Sequence, residues 1–198
     1  MGSGSDLQRK GMLCDPGEHF QGRYEVEHKY RVENLAHIRD QIMQLGGVAF
    51  MLENHETDIY FDMDDRRLAE NDQAVCLRSM APSGRVLWIS KGPGPDRCVA
   101  MDLHDADKAV EMLTSLGFVE VLRVEKARDL YFLAALHVTL DEVPGLGQFV
   151  EIAAMTDDEQ ALDGLREQIE ALALNLDLSP ASREARSYRT MLRAPGLR

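Results

Sequence analysis

A chain of 198 residues, 44% hydrophobic and 28% charged, can bury one sizeable core, and nothing in its length demands a second domain. Its formal net charge of −12 argues against a surface that neutralises nucleic-acid phosphates, although a small polyanion needs only a few cations pointed at one place. No apolar run reaches the about eighteen residues of a membrane span, and Cys14, Cys76 and Cys98 lie far apart without C-x-x-C spacing, so the chain reads as cytoplasmic, with neither a disulfide framework nor a thiolate zinc site.

Residues 1–18, "MGSGSDLQRKGMLCDPGE", have no periodic apolar face and read as a flexible leader or an added tag, leaving one domain over 19–194 and a tail over 195–198. "YEVEHKYRV" (Tyr24 to Val32) alternates Glu25, Glu27, Lys29 and Arg31 against Val26, His28, Tyr30 and Val32, which is a strand with one charged face. Asn34 can cap a helix through Leu35, Ile38, Ile42 and Leu45, stopped by Gly46 and Gly47. "HETDIYFD" (His55 to Asp62) reads as a strand, and the acidic loop after it fails as a calcium loop because Arg66 and Arg67 fall where a ligand and the turn glycine belong.

"AVCLRSMAPSGRVLWISKGPG" reads as a hairpin, with strands Ala74 to Met80 and Arg85 to Lys91 around the turn "APSG". A strand over Asp96 to Leu103 follows, then a helix capped at Asp105 and ended by Gly117. "VEVLRVEKARDLYFL", "HVTLDEV" and "QFVEIAAM" give three more strands. Thr156 with Glu159 predicts a capping box, opening a helix whose Leu162, Leu165, Ile169, Leu172 and Leu176 form a core stripe. "SPASREARSYRTMLR" predicts a last helix with Pro180 in its first turn. Eight or nine strands, mostly in antiparallel succession with helices between some of them, predict an α+β fold with a large, strongly curved or closed antiparallel sheet.

Taken alone, the charged face of the first strand means a wet sheet surface. Arg78, Lys91, Arg97, Lys126 and Arg128 also sit in strand-like segments among apolar neighbours, and Asp141 and Glu151 close two more. If the sheet curls, alternate residues of every strand share one lumen. A lumen of four carboxylates and about six cations must be liganded, since unpaired buried charge is strongly disfavoured. A polyphosphate bridged to the acids by a divalent cation meets that need.

With Glu25, Glu27 and Lys29 forming E-x-E-x-K, and with "NHETDIYFD", "MAPSGRVLWISKGPG", "DRC", "EKARDLYF", "HVTLDEVPGLG", "VEIAAMTDD" and "SYRTML" in order, the chain resembles the CYTH superfamily of triphosphate tunnel metalloenzymes. Within it the chain most resembles the class IV adenylyl cyclases of the CyaB type. The resemblance implies a closed or nearly closed eight-stranded antiparallel β-barrel, a tunnel with helices packed outside, in a homodimeric enzyme that converts ATP to 3′,5′-cyclic AMP and pyrophosphate with Mg²⁺ or Mn²⁺. It implies catalytic roles for Glu25, Glu27, Lys29 and Glu151, and metal ligation by Glu25, Glu27 and Glu151 with Asp141 as a further ligand or orienter. It implies a triphosphate grip of Lys29, Arg78, Lys91, Lys126 and Arg128, with Arg31 and Arg97 as further cations and Phe20 near the nucleoside. Val99 and Cys76 depart from the family pattern. The alternatives are a triphosphatase acting on inorganic, thiamine or nucleoside triphosphate, or a binder of nucleotide or polyphosphate without catalysis; neither a nucleic acid nor a membrane is expected as partner.

Overall fold

The computed structural model describes residues 22–193. Eight antiparallel strands, β1 (Tyr24–Val32), β2 (Val48–Met63), β3 (Ala74–Ala81), β4 (Val86–Lys91), β5 (Cys98–Leu103), β6 (Phe118–Leu133), β7 (Leu136–Val143) and β8 (Gly147–Thr156), form one sheet. Their order is β1-β8-β7-β6-β2-β3-β4-β5. The helices are α1 (Leu35–Gln44), α2 (Arg67–Glu70), α3 (Ala106–Ser115), α4 (Leu162–Asn175) and α5 (Tyr188–Leu192), with 3-10 turns at Glu159–Ala161 and Pro180–Ser182.

The sheet curls until its two edge strands nearly meet. At one end the Glu25 N–H donates to the Asp96 carbonyl at 2.7 Å and the Cys98 N–H to the Arg23 carbonyl at 3.0 Å. Among the described residues Tyr24 and Arg97 form the one bridge between these edges and no ladder continues from it, so the tunnel is an open half-barrel rather than a closed ring.

Alternation along the strands gives the sheet two different faces. The outer face is apolar: Val26, Tyr30, Val138, Leu140, Val150 and Ile152 pack under Ile38 and Ile42 of α1 and Ile169 and Leu172 of α4. Each such fully buried aliphatic side chain contributes about 2 kcal/mol. On the far half, Ala109 and Leu113 of α3 cover Phe61 and Leu77. The inner face carries the charges.

Local signals explain most boundaries. The Asn34 side chain accepts from the His37 N–H at 3.1 Å, and Asp105 accepts from the Lys108 N–H at 3.0 Å, so both predicted caps form. Gly46 ends α1 at φ +85°, and a Cβ on Gly47 would lie 2.4 Å from the Ile42 methyl, so neither position accepts a side chain cheaply.

Four expectations are corrected. β2 begins at Val48 rather than near His55, and α1 ends at Gln44, so Leu45 is its C-cap, 44% exposed, rather than part of the helical run. Thr156 stays at the end of β8, and Asp158 caps the following turn by accepting from the Gln160 N–H at 2.9 Å, so no capping box forms. The last segment is not one helix: Arg183 pairs with Tyr30 at the edge of β1, the chain stays extended, and α5 starts afresh at a Ser187 cap. In the acidic loop, the Asp62 carboxylate accepts from the N–H groups of Met63, Leu68 and Ala69, which turns it toward α2.

Candidate active site

The register of β1 against β8 sets Lys29 opposite Glu151, and places Glu25, Glu27, Lys29 and Arg31 on the tunnel face. Lys91, at the end of β4, reaches across the open side with its Nζ 2.8 Å from Glu25 Oε2 and 3.6 Å from Glu27 Oε2. Lys29 Nζ lies 3.3 Å from Glu151 Oε1 and 3.8 Å from Glu27 Oε1. Three carboxylates and two ammonium groups therefore interleave. Burial raises the Glu25 carboxyl, but the Lys91 ammonium outweighs it and holds the group at about 2. Burial and the Glu151 carboxylate push Glu27 up against the pull of Lys91 and Lys29. Glu27 is the acid of this group most weakly held in its ionised form.

A second set of ion pairs lies deeper. β2 and β3 set Asp58 opposite Arg78, whose Nε and Nη2 donate to the two carboxylate oxygens at 2.7 and 2.8 Å. Lys126 Nζ sits 2.8 Å from Asp58 Oδ2 and 2.9 Å from Glu56 Oε2. The Arg128 guanidinium binds Asp141 through two hydrogen bonds and also donates to Glu151. Tyr188 of α5 donates its hydroxyl to Asp141 at 2.7 Å, and Lys29 Nζ rests 4.3 Å from the centre of its ring. Burial would raise Asp58, but Arg78 and Lys126 hold it well below the usual carboxylate range; Glu56, with the same neighbours, sits at about 2.

Sequence reasoning missed Glu56, Asp58 and Tyr188. Glu56 and Asp58 stand two residues apart on the face opposite Ile59 and Phe61, the same spacing as Glu25 and Glu27, and that repetition was the available signal. With them the lining holds six carboxylates (Glu25, Glu27, Glu56, Asp58, Asp141, Glu151) against six cations (Lys29, Arg31, Arg78, Lys91, Lys126, Arg128). Among the described residues the expected surplus of cations is absent from this lining: each cation of the lining core already has a carboxylate, and any anion that enters must displace one.

The remaining expected residues divide. Arg31 lies at the α5 end, donating to the Leu146 carbonyl and resting 4.6 Å from the centre of the Phe149 ring, so it is tied away from the other cations. Arg97 sits over the Tyr24 ring at 5.3 Å, on the outer side of the sheet and outside the tunnel lining. Phe20 falls outside the described residues. Val99 points outward and is 43% exposed, whereas Cys76 and Cys98 line the inner wall, where burial pushes both thiols up to about 12. The Val99 departure therefore leaves the lining untouched. His137, which sequence reasoning did not single out, is buried on the inner face of β7 opposite Ala153.

The donor set of Glu25, Glu27 and Glu151 is all carboxylate oxygen, the chemistry of a hard divalent cation, and the Lys91 ammonium between Glu25 and Glu27 marks a place where positive charge is welcome. Among the described residues no cluster of three or more acidic, histidine or cysteine side chains is already drawn together for a metal. The residues fit such an ion once the half-exposed Lys91 ammonium, which now pairs with Glu25 and Glu27, moves off them.

The fold and this lining define a charged half-barrel tunnel, and comparison with known proteins gives its family. The chain matches the CYTH domain over residues 23–188 and belongs to that family. It is 45% identical over 174 residues, 88% of the chain and 91% of the relative, to adenylate cyclase CyaB of Aeromonas hydrophila. A solved Vibrio parahaemolyticus structure, described as a candidate adenylate cyclase, superposes with a TM-score of 0.84 at 40% identity, covering 88% of this chain and all of that one. A Hippeastrum protein reported to have a dominant triphosphatase activity shares the fold alone, with a TM-score of 0.58 at 15% identity, 86% of this chain and 95% of that one being covered. No helix among the described residues is long and apolar enough to cross a membrane.

Proposed function

We propose that the chain is a divalent-metal-dependent adenylyl cyclase of class IV, turning ATP into 3′,5′-cyclic AMP and pyrophosphate as a cytoplasmic homodimer. The observation that carries this reading is the interleaving of Glu25, Glu27 and Glu151 with Lys29 and Lys91 in the lining of a tunnel whose sequence follows that of the Aeromonas cyclase.

Lys29, Arg78, Lys91, Lys126 and Arg128 would receive the phosphoryl oxygens, each leaving a carboxylate to do so. Glu25, Glu27 and Glu151 would hold Mg²⁺ or Mn²⁺, which when bound supplies Lewis-acid polarisation of the ribose 3′-hydroxyl and of the phosphoryl oxygens. Asp141 serves better as an orienter than as a ligand, because Arg128 and the Tyr188 hydroxyl already occupy its oxygens. The freed cations stabilise charge that builds on departing pyrophosphate. α5 adds to this by closing one end: Tyr188 and Met191 pack on Val124, Val143 and Phe149, limiting the water that could compete with the ribose hydroxyl.

Incubation with ATP and Mg²⁺ or Mn²⁺, with products separated by chromatography, is the test. Cyclic AMP with pyrophosphate is the expected result; ADP with orthophosphate would replace this reading with the triphosphatase one. Hydrolysis is the second reading because the ion pairs described above address a phosphate chain and not a base. Lys91→Ala should raise the KM for ATP about tenfold, the equivalent of about 1.4 kcal/mol. Unchanged steady-state kinetics would remove Lys91 from the grip.

A further inference from the structure

Outside the tunnel lining the described residues gather a second group of cations. A cleft of about 520 Å³ lies between α2, the turn leading into β3, and α5, lined by Arg186, Arg189, Arg193 and Thr190 on one side and by Ala69 and Asp72 on the other. Arg66, at the start of α2 and outside the lining, acts on the same cations: burial, Arg189 and Arg66 disfavour the charged form of Arg193 and outweigh the opposite pull of Asp62. Elsewhere on the surface Arg23, Arg39, Arg67, Arg85 and Arg123 each keep a carboxylate within 3.1 Å. Acids outnumber Lys and Arg by 34 to 22 in this chain, so such pairing is the ordinary state of its arginines. In the cleft only Arg186 has a carboxylate partner among the described residues, Glu184 at 2.7 Å. Arg189 and Arg193 in the lining, and Arg66 beside it, form no ion pair among the described residues, and the Asp62 carboxylate acts on Arg193 only at longer range.

The cleft adjoins the tunnel. Tyr188 points inward from α5 and the next residue, Arg189, points to the cleft, its guanidinium 5.6 Å from the centre of the Tyr60 ring and donating to the Gln73 carbonyl at 3.5 Å. Tyr60 follows Asp58 by two on the inner face of β2. On the other side the Asp72 carbonyl lies so close to Gly92, the residue after Lys91, that a Cβ there would be 1.9 Å from it. One aromatic ring and one turn separate the cleft from the ion pairs of the tunnel.

We propose that this cleft is a second anion site, taking a small phosphate-bearing anion, with pyrophosphate as its ligand. Guanidinium groups suit it because each can donate two parallel hydrogen bonds to phosphoryl oxygens, and unpaired ones give up no carboxylate to do so. That pyrophosphate reaches the cleft as a reaction product rests on the cyclase reading; its binding there does not.

Titration calorimetry of the full chain with inorganic pyrophosphate, in chelator and without divalent metal, tests the site. Arg66→Gln/Arg193→Gln should lose one bound pyrophosphate per chain relative to the parent, with an unchanged melting temperature. Asp72→Asn, which removes the acid lining the cleft, should tighten the same binding event about threefold. Equal stoichiometry and affinity in parent and double variant, or no response to Asp72→Asn, would overturn the proposal. Because no turnover is involved, a protein that makes no cyclic AMP yet loses one pyrophosphate in the double variant keeps the cleft and refutes only the cyclase.

Discussion

Glu27→Ala should lower cyclic AMP formation by about a hundred- to a thousandfold, the scale of losing one group that acts on the transition state, while the melting temperature stays near that of the parent. The two halves of this expectation come from the same geometry. Removing Glu27 leaves Lys29 with Glu151 at 3.3 Å and Lys91 with Glu25 at 2.8 Å, so neither ammonium is orphaned. Its own carboxyl, by contrast, is raised by burial and by Glu151 above the ordinary 4.5, which makes it the member of the set most ready to accept a cation stronger than lysine. The same shift carries a sign for the parent enzyme. In the metal-free protein a raised carboxyl is protonated over a wider acid range, so metal binding should begin to weaken at a higher pH than an ordinary glutamate would impose. Product analysis beside a thermal melt checks the first claim; a Glu27→Ala protein working at the parent rate would end the role given to this residue.

Much of the site was readable because alternation survives folding. Glu25, Glu27 and Lys29 stood out by alternation, Arg78, Lys91, Lys126, Arg128, Asp141 and Glu151 as charges in strand-like segments whose roles the resemblance supplied, and strand pairing brings them to one lining. What was not readable depends on register. Nothing in "HETDIYFD" says that Asp58 will face Arg78, twenty residues on, or that Lys126 will arrive from a strand 68 residues away. A carboxylate looks alike in sequence whether it meets water or two buried cations. Arg97 shows the converse error: a cation in a strand-like segment was placed in the lining, but its neighbour Cys98 takes the inward position and Arg97 the outward one. Capping chemistry misled at Thr156, where continuing the β8 ladder opposite Tyr24 won over starting a helix. In the last segment, helix propensity lost to the pairing of Arg183 with Tyr30, and that break is what frees Tyr188 to enter the tunnel.

The second large effect concerns stability. Asp58→Ala should cost about 3–5 kcal/mol, the range for breaking a buried ion pair by removing one partner. Asp58 is 2% exposed, so solvent offers little screening, and its two oxygens meet both Arg78 and Lys126 at 2.7 to 2.8 Å. Without it the only acid among the described residues that pairs with both cations is Glu56, already engaged at 3.2 Å with Arg78 and 2.9 Å with Lys126. The melting temperature should fall on the order of 10 °C for a domain of this size. Asp58→Ala/Arg78→Met should lose less than the sum of the single changes, since the second removes a charge that the first left unpaired. Acid should mimic the effect in part. Glu56 is ordinarily near 4.5 and sits at about 2 here, so its contribution is complete above 4.5 and is lost as the pH falls toward 2. If Asp58→Ala instead unfolds within 1 kcal/mol of the parent in a denaturant titration, water reaches Arg78 and Lys126 freely, and the triphosphate would then meet cations already solvated rather than cations held in place by Glu56 and Asp58.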